Sequence, residues 1–217
     1  YELDRAEDTG GEPDIEAMTR LAISRLAQDE DGYVLMVEGG RIDHAHHGTN
    51  AARALSDAVA FDRAVAAALE LTNASDTLII VTADHSHTMT IAGYPQRGNP
   101  ILGKVTYPGG DLAKGEDGLP YTTLGYMNGP AACQLVDGDW LCERGDLTGV
   151  DTEHVDFQQQ ALVPMSSETH GGEDVAVFAR GPGSELVSGV IEQNEIFHVI
   201  GRASRLTGRN SGMVEAE

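Results

Sequence analysis

Three observations predict an α/β fold built on a mainly parallel sheet. There are two short apolar runs, a one-sided helix pattern lies between them, and clusters of acidic and histidine residues follow each run. Tyr33-Val-Leu-Met-Val37 and Thr77-Leu-Ile-Ile-Val-Thr82 have the character of strands covered on both faces. Between them Asn50 reads as the N-cap of an Ala-rich helix that extends to about Leu71, with Leu55, Val59, Val65 and Leu69 along its buried side. Strand, helix and strand in that order imply a right-handed βαβ unit. Ligands in such sheets collect beyond the carboxyl ends of the strands. Glu38-Gly-Gly-Arg-Ile-Asp43-His44-Ala-His46-His47 and Asp84-His85-Ser-His87 sit at that edge and hold five of the eight histidines.

The remaining elements fit the same frame. Asp14 to Gln28 has apolar residues at Ile15, Met18, Leu21, Ala22 and Leu26, a helical spacing, and Pro13 suits the helix entrance. After Ile91 the composition changes: Gly93 to Pro164 holds six of the eight prolines and 12 of the 26 glycines. Helices and central strands tolerate neither residue well, so this segment reads as an irregular insertion and not as core. Order returns with a strand-like run, Asp174-Val-Ala-Val-Phe178, and a final helix over Glu192 to Arg202. The expected division is residues 1–92 as an α/β core segment, 93–165 as the insertion and 166–217 as the return to the core.

Charge excludes some partners. With 14 basic and 35 acidic residues the net charge is −21, which argues against a nucleic-acid surface or an anionic membrane. Only Lys104 and Lys114 are lysine; an acidic, lysine-poor surface suits high salt, where repulsion between carboxylates is screened. No apolar stretch approaches the ~20 residues of a membrane span. Cys133 and Cys142 either close a small loop disulfide, as suits an exported protein, or stand as two thiols.

The two clusters have the chemistry of a multi-metal site. Glu38 is a hard oxygen donor suited to Mg²⁺, and Asp43 with His47 suits Zn²⁺. Asp84 and His85 converge on one ion at a strand-to-loop bend, and Glu168-Thr-His170-Gly-Gly adds a donor from far along the chain. The bland alternative is a solvated loop rich in His and Asp. A serine-based triad is a weaker rival, since no serine sits in a GxSxG elbow.

Val37-Glu-Gly-Gly-Arg-Ile-Asp-His-Ala-His-His47, Val81-Thr-Ala-Asp-His-Ser-His87 and Glu168-Thr-His-Gly-Gly-Glu-Asp-Val-Ala-Val-Phe-Ala-Arg-Gly-Pro182 resemble three signature stretches of the alkaline phosphatases. Gly93-Tyr-Pro-Gln-Arg-Gly98 and Gly125-Tyr-Met-Asn-Gly-Pro130 are similar to that family too. The resemblance runs through nearly the whole chain but covers only the C-terminal half of such an enzyme. It implies a three-layer α/β/α sandwich around a large, mostly parallel sheet, with residues 93–165 as the crown-like insertion.

The resemblance also implies site roles and partners. Glu38 binds one Mg²⁺; Asp43, His47 and His170 bind one of two Zn²⁺ ions, and Asp84 with His85 binds the other. His44 faces the phosphate or tunes the metals, and His87 hydrogen-bonds a ligand carboxylate. His46 is a neighbour on the loop, Arg41 is structural, and His154 and His198 are structural or on the surface. The reaction is hydrolysis of phosphate monoesters at alkaline pH through a phosphoserine. The serine lies in an N-terminal half that precedes Tyr1, and no Asp-Ser-Ala segment occurs here. A periplasmic or extracellular homodimer is implied. The alternatives are a non-catalytic metal-binding module and, among enzymes, a metal-dependent sulfatase or phosphodiesterase.

Overall fold

A computed structural model describes residues 1–205 apart from Cys133, Gly138, Cys142 and Glu143. The expectation about the two cysteines therefore lies outside the described residues. The chain forms two compact units. The first contains Tyr1–Ile15, Met36–Asp62 and His85–Glu173; the second contains Glu16–Leu35, Arg63–Asp84 and the chain from Asp174 onward. No helix among the described residues is long and apolar enough to cross a membrane.

Among the described residues four α-helices and nine strands follow in chain order: α1 (Ile15–Leu26), α2 (Arg41–His47), α3 (Ala51–Leu71), β1 (Ile79–Thr82), β2 (Ser86–His87), β3 (Met89–Ile91), β4 (Leu124–Gly129), β5 (Gln134–Val136), β6 (Asp139–Leu141), β7 (Ala161–Pro164), β8 (His170–Gly171), β9 (Val177–Arg180) and α4 (Glu195–Ala203).

In the second unit β1 and β9 form a two-stranded antiparallel ladder, Ile79 opposite Arg180 and Thr82 opposite Val177. Gly181 turns the chain out of β9 at φ +109, and a Cβ there would overlap the Thr77 carbonyl oxygen. No other residue fits that backbone. Arg20 of α1 pairs with Glu16 one turn earlier at 2.9 Å and with Glu70 at 2.7 Å. The buried stripe of α1 is Thr19 and Ile23, while Met18 and Leu21, expected on the inner side, are exposed.

The first unit is built on the order β3-β4-β7. β3 runs antiparallel to β4, Met89 opposite Tyr126, and β4 runs parallel to β7, Tyr126 opposite Ala161. β2 pairs antiparallel with β8, so that His87 lies opposite His170. The Gly/Pro-rich segment is more than an irregular excursion. It supplies β4 and buries Val105, Ala113, Leu124 and Leu147. Lys104 ties it together by donating from Nζ to the carbonyls of Leu147 (3.0 Å) and Val150 (2.7 Å).

Two sequence expectations need correction. Residues 33–37 belong to no strand. Val34 is 72% and Met36 81% exposed, so the period-two pattern of a strand is present but no neighbour pairs with it. The expected βαβ unit is therefore not formed among the described residues, and β4–β7 is the one parallel ladder among the named strands. The second correction concerns α3. Asn50 does cap it, Oδ1 accepting from Arg53 N–H at 2.9 Å, but its buried apolar residues are Ala51, Ala52, Ala54, Ala60, Ala64 and Ala67, with Val59 exposed. Alanines let neighbouring backbone approach closely, so the smallest side chains line the packed side.

Candidate metal centre

Local structure explains how the donors are delivered. Asp43 and His47 are four residues apart on α2, so both project from one face. α2 ends in a tight reversal: Thr49 N–H donates to the His46 carbonyl at 2.7 Å and Asn50 N–H to the Ala45 carbonyl at 2.9 Å, the pairing of a Schellman motif. Thr49 occupies the left-handed position at φ 51, an unusual conformation for a β-branched residue. Its carbonyl accepts the Gln159 N–H at 2.9 Å, and the Gln159 side chain accepts Ala51 N–H at 2.9 Å. His85 and His87 are two residues apart, the spacing that places side chains on one side of an extended chain. Pairing of β2 with β8 adds His170.

These elements surround a single oxygen. Asp43 Oδ1 lies 3.1 Å from His87 Nε2, 3.3 Å from His47 Nε2, 3.5 Å from His170 Nε2 and 3.8 Å from His85 Nε2. Both Asp43 Oδ1 and His87 Nε2 are buried atoms without a hydrogen-bond partner. The rings of His85 and His170 stack at 3.5 Å between centroids, 13° from parallel. His47 Nδ1 is 2.6 Å from the Glu168 carbonyl oxygen, an acceptor for a proton on Nδ1. That tautomer leaves the Nε2 lone pair directed at the cluster. A carboxylate oxygen facing four imidazole nitrogens with no hydrogen bond is chemically incomplete, and a divalent cation taking N and O donors completes it.

Two donor groups have atoms close enough to share an ion: Asp43, His85 and His170, and His47, His87 and Glu168. Asp43, His47, His85, His87 and His170 are thus brought together. Glu38 and Asp84 belong to neither group and both are exposed. Glu38 folds back toward Gly40, where a Cβ would come within 3.2 Å of Glu38 Oε1. His44 is exposed with Nδ1 3.4 Å from Arg41 Nη1, and Arg41 also lies over the Tyr1 ring at 5.1 Å.

Sequence reasoning assigned no role to Glu168, Thr88 or Tyr126, and it treated His46 as a bystander. Glu168 Oε2 accepts from His87 Nδ1 at 2.7 Å, and Oε1 accepts from Thr88 N–H at 2.6 Å and Thr88 Oγ1 at 2.9 Å. His46 Nδ1 lies 2.8 Å from the Tyr126 hydroxyl, and its ring stacks on His87 at 4.6 Å. Burial, then the adjacent His87, pushes the His46 imidazole down to about 4, and burial raises the Tyr126 phenol well above its usual range. One signal was available: Glu168 precedes His170 by two residues, the period that turns two side chains of an extended segment the same way.

The alkaline phosphatase family model matches residues 1–206. The tissue-nonspecific isozyme of alkaline phosphatase from Gallus gallus is 48% identical over 204 residues, 94% of this chain and 37% of that protein. The corresponding isozyme of Homo sapiens is 44% identical over 212 residues, 98% of this chain and 38% of that protein. The solved alkaline phosphatase of the Antarctic bacterium TAB5 superposes with a TM-score of 0.52 at 26% identity, covering 88% of this chain and 41% of that one. A variant of that enzyme with Mg bound in its M3 site gives 0.53. The chain spans about two-fifths of the length of these relatives.

Proposed function

The chain belongs to the alkaline phosphatase family, and on that premise we propose that it supplies most of the metal ligands of an enzyme that hydrolyses phosphate monoesters at alkaline pH. The observation that supports this best is the buried, unpartnered Asp43 Oδ1 ringed by imidazole nitrogens. Asp43, His47 and His170 hold one zinc, Asp84 and His85 hold a second, and Glu38 contributes to a magnesium site. The division between the two zincs follows the family pattern; His85 stacks on His170 beside the same carboxylate. When bound, such ions stabilise the charged oxygens of phosphoryl transfer and lower the pKa of water.

The chain's own residues do the positioning. His47 presents Nε2 because the Glu168 carbonyl faces Nδ1. His87 orients the Asp43 carboxylate, and His44, exposed on α2, faces the phosphate. The serine that forms the phosphoserine comes from the part of the enzyme outside this chain, which also completes a three-layer sandwich. Residues 93–165 form its crown-like insertion. An exported homodimer adapted to high salt is the setting we assign to the assembled enzyme.

His170→Ala in the full-length protein tests the reading. Loss of p-nitrophenyl phosphate hydrolysis together with a fall in bound zinc is expected, and full activity with unchanged metal content overturns it. Zinc binding without turnover of a phosphate monoester, a diester or a sulfate ester by the parent protein supports a metal-binding module instead.

A further inference from the structure

Glu168 is 1% exposed. A carboxylate is removed from water at large cost unless its oxygens are well partnered, and here both are. Oε1 takes two bonds from Thr88 and Oε2 takes the His87 Nδ1 proton. The backbone of the same residue is tied to the other side of the cluster: its N–H donates to the His47 carbonyl at 2.9 Å, and its carbonyl lies 2.6 Å from His47 Nδ1. One buried residue thus touches β2, the turn after it and the last residue of α2.

His47, His87 and Glu168 could in principle form an ion site of their own. The hydrogen bonds decide against it. An ion there would have to displace the Nδ1 protons of His87 and His47, the first held by Glu168 Oε2 and the second by the Glu168 carbonyl, beside a carboxylate that has no access to water. Glu168 instead fixes the His87 ring, whose other nitrogen faces Asp43 Oδ1 at 3.1 Å.

We propose that Glu168 is a positioning residue: by holding the His87 Nδ1–H it fixes that ring, and the fixed ring edge, 3.1 Å from Asp43 Oδ1, confines the Asp43 carboxylate to the orientation that binds metal. The proposal rests on the reading of Asp43 as a metal ligand. Groups that orient a ligand from behind typically change metal affinity about 10- to 100-fold when removed.

The test uses the full-length protein and competition for zinc with a chelator of known affinity. Glu168→Gln keeps the volume and an acceptor for Thr88 but sets an amide N–H₂ against the His87 Nδ1 proton. It is expected to weaken zinc binding roughly 10- to 100-fold and to lower kcat for p-nitrophenyl phosphate with KM little changed. His87→Ala should weaken zinc by a similar factor, and adding Glu168→Gln to it should cost nothing further, because the effect passes through His87. If Glu168→Gln does not fold, Thr88→Val, which removes one donor to Oε1, should weaken zinc roughly threefold or more. Zinc binding unchanged in whichever of these variants folds overturns the proposal, as does a Glu168→Gln loss that is undiminished in the His87→Ala background. A parent protein that binds no zinc overturns the metal-centre reading and this inference with it, whereas a zinc-loaded parent insensitive to these changes overturns this inference alone.

Discussion

In the first unit Glu168 and Gln159 are as deeply buried as Leu124, and each is hydrogen-bonded at its polar end. The second unit differs in its sheet: Met18, Leu21, Phe178, Val190 and Phe197 face outward around a two-stranded ladder, whereas the outward Met36, Ile91 and Leu162 of the first unit accompany a three-stranded sheet. The first unit finds partners for buried side chains such as Glu168 and Gln159 within this chain, while Asp43 Oδ1, Thr49 Oγ1 and His87 Nε2 stay without a hydrogen bond. The second has strands and helices with apolar faces and few residues to cover them, and a two-stranded sheet alone is marginal in water. The relatives are more than twice as long as this chain. On the function proposed here, the rest of the enzyme covers the second unit, while the donor cluster is packed by this chain's own residues.

The largest effect that could break this comparison lies in the first unit. Gly129, at the end of β4, has φ +143, and a Cβ there would overlap Thr49 Cγ2. Thr49 cannot retreat easily, because both its N–H and its carbonyl are bonded. Gly129→Ala combines backbone strain with overpacking and is expected to destabilise the first unit by about 3 kcal/mol or more. Hydrogen exchange should show protection lost in α2 and β4 and retained in β1 and β9. Equal loss in both units would mean that the two do not differ in self-sufficiency.

A second effect of similar size depends on pH. His46 titrates at about 4 in the folded protein against 6.5 for an ordinary imidazole, because burial disfavours its charged form. The folded state therefore binds fewer protons than the unfolded state between these values, so stability falls with falling pH there. The contribution is complete above about pH 6.5 and is lost down to about pH 4, at most about 3 kcal/mol. Urea titrations of metal-free protein across that range should show the slope, and His46→Asn should flatten it. A slope unchanged in His46→Asn would place the acid sensitivity elsewhere.

The sequence made the donors legible and left their support obscure. Asp43, His47, His85, His87 and His170 stand in short motifs whose residue types have few other uses, and the structure gathers the four histidines around one oxygen of Asp43. The α1, α3, β1 and α4 elements were readable from period and caps, with Asn50 capping α3 as expected. Glu168 stands in the third motif, but nothing in the sequence links it to Thr88 and His87, the partners of its carboxylate some 80 residues away in the chain. The strand expected at 33–37 has the all-apolar run of a strand covered on both faces, but pairing requires a neighbour, and an apolar run says nothing about where that neighbour is encoded. The alanine face of α3 was misassigned for a related reason. Hydrophobicity ranks Leu and Val above Ala, whereas close approach favours the smallest side chain.

The smallest expected effect sharpens the comparison from the other side. Leu21 on α1 is 59% exposed, and truncating an exposed apolar side chain usually changes stability by less than about 0.5 kcal/mol. Leu21→Ser should therefore leave the unfolding midpoint of this chain, expressed alone, nearly unchanged. If the remainder of the enzyme covers α1, the same substitution in the full-length protein removes a buried side chain and should cost about 2 kcal/mol. The difference between the two contexts is the quantity to measure, because it reports coverage that this chain does not provide. Equal small costs in both would mean that Leu21 faces water in the assembled enzyme too, and the second unit's apolar surface would then need a partner other than the rest of its own chain.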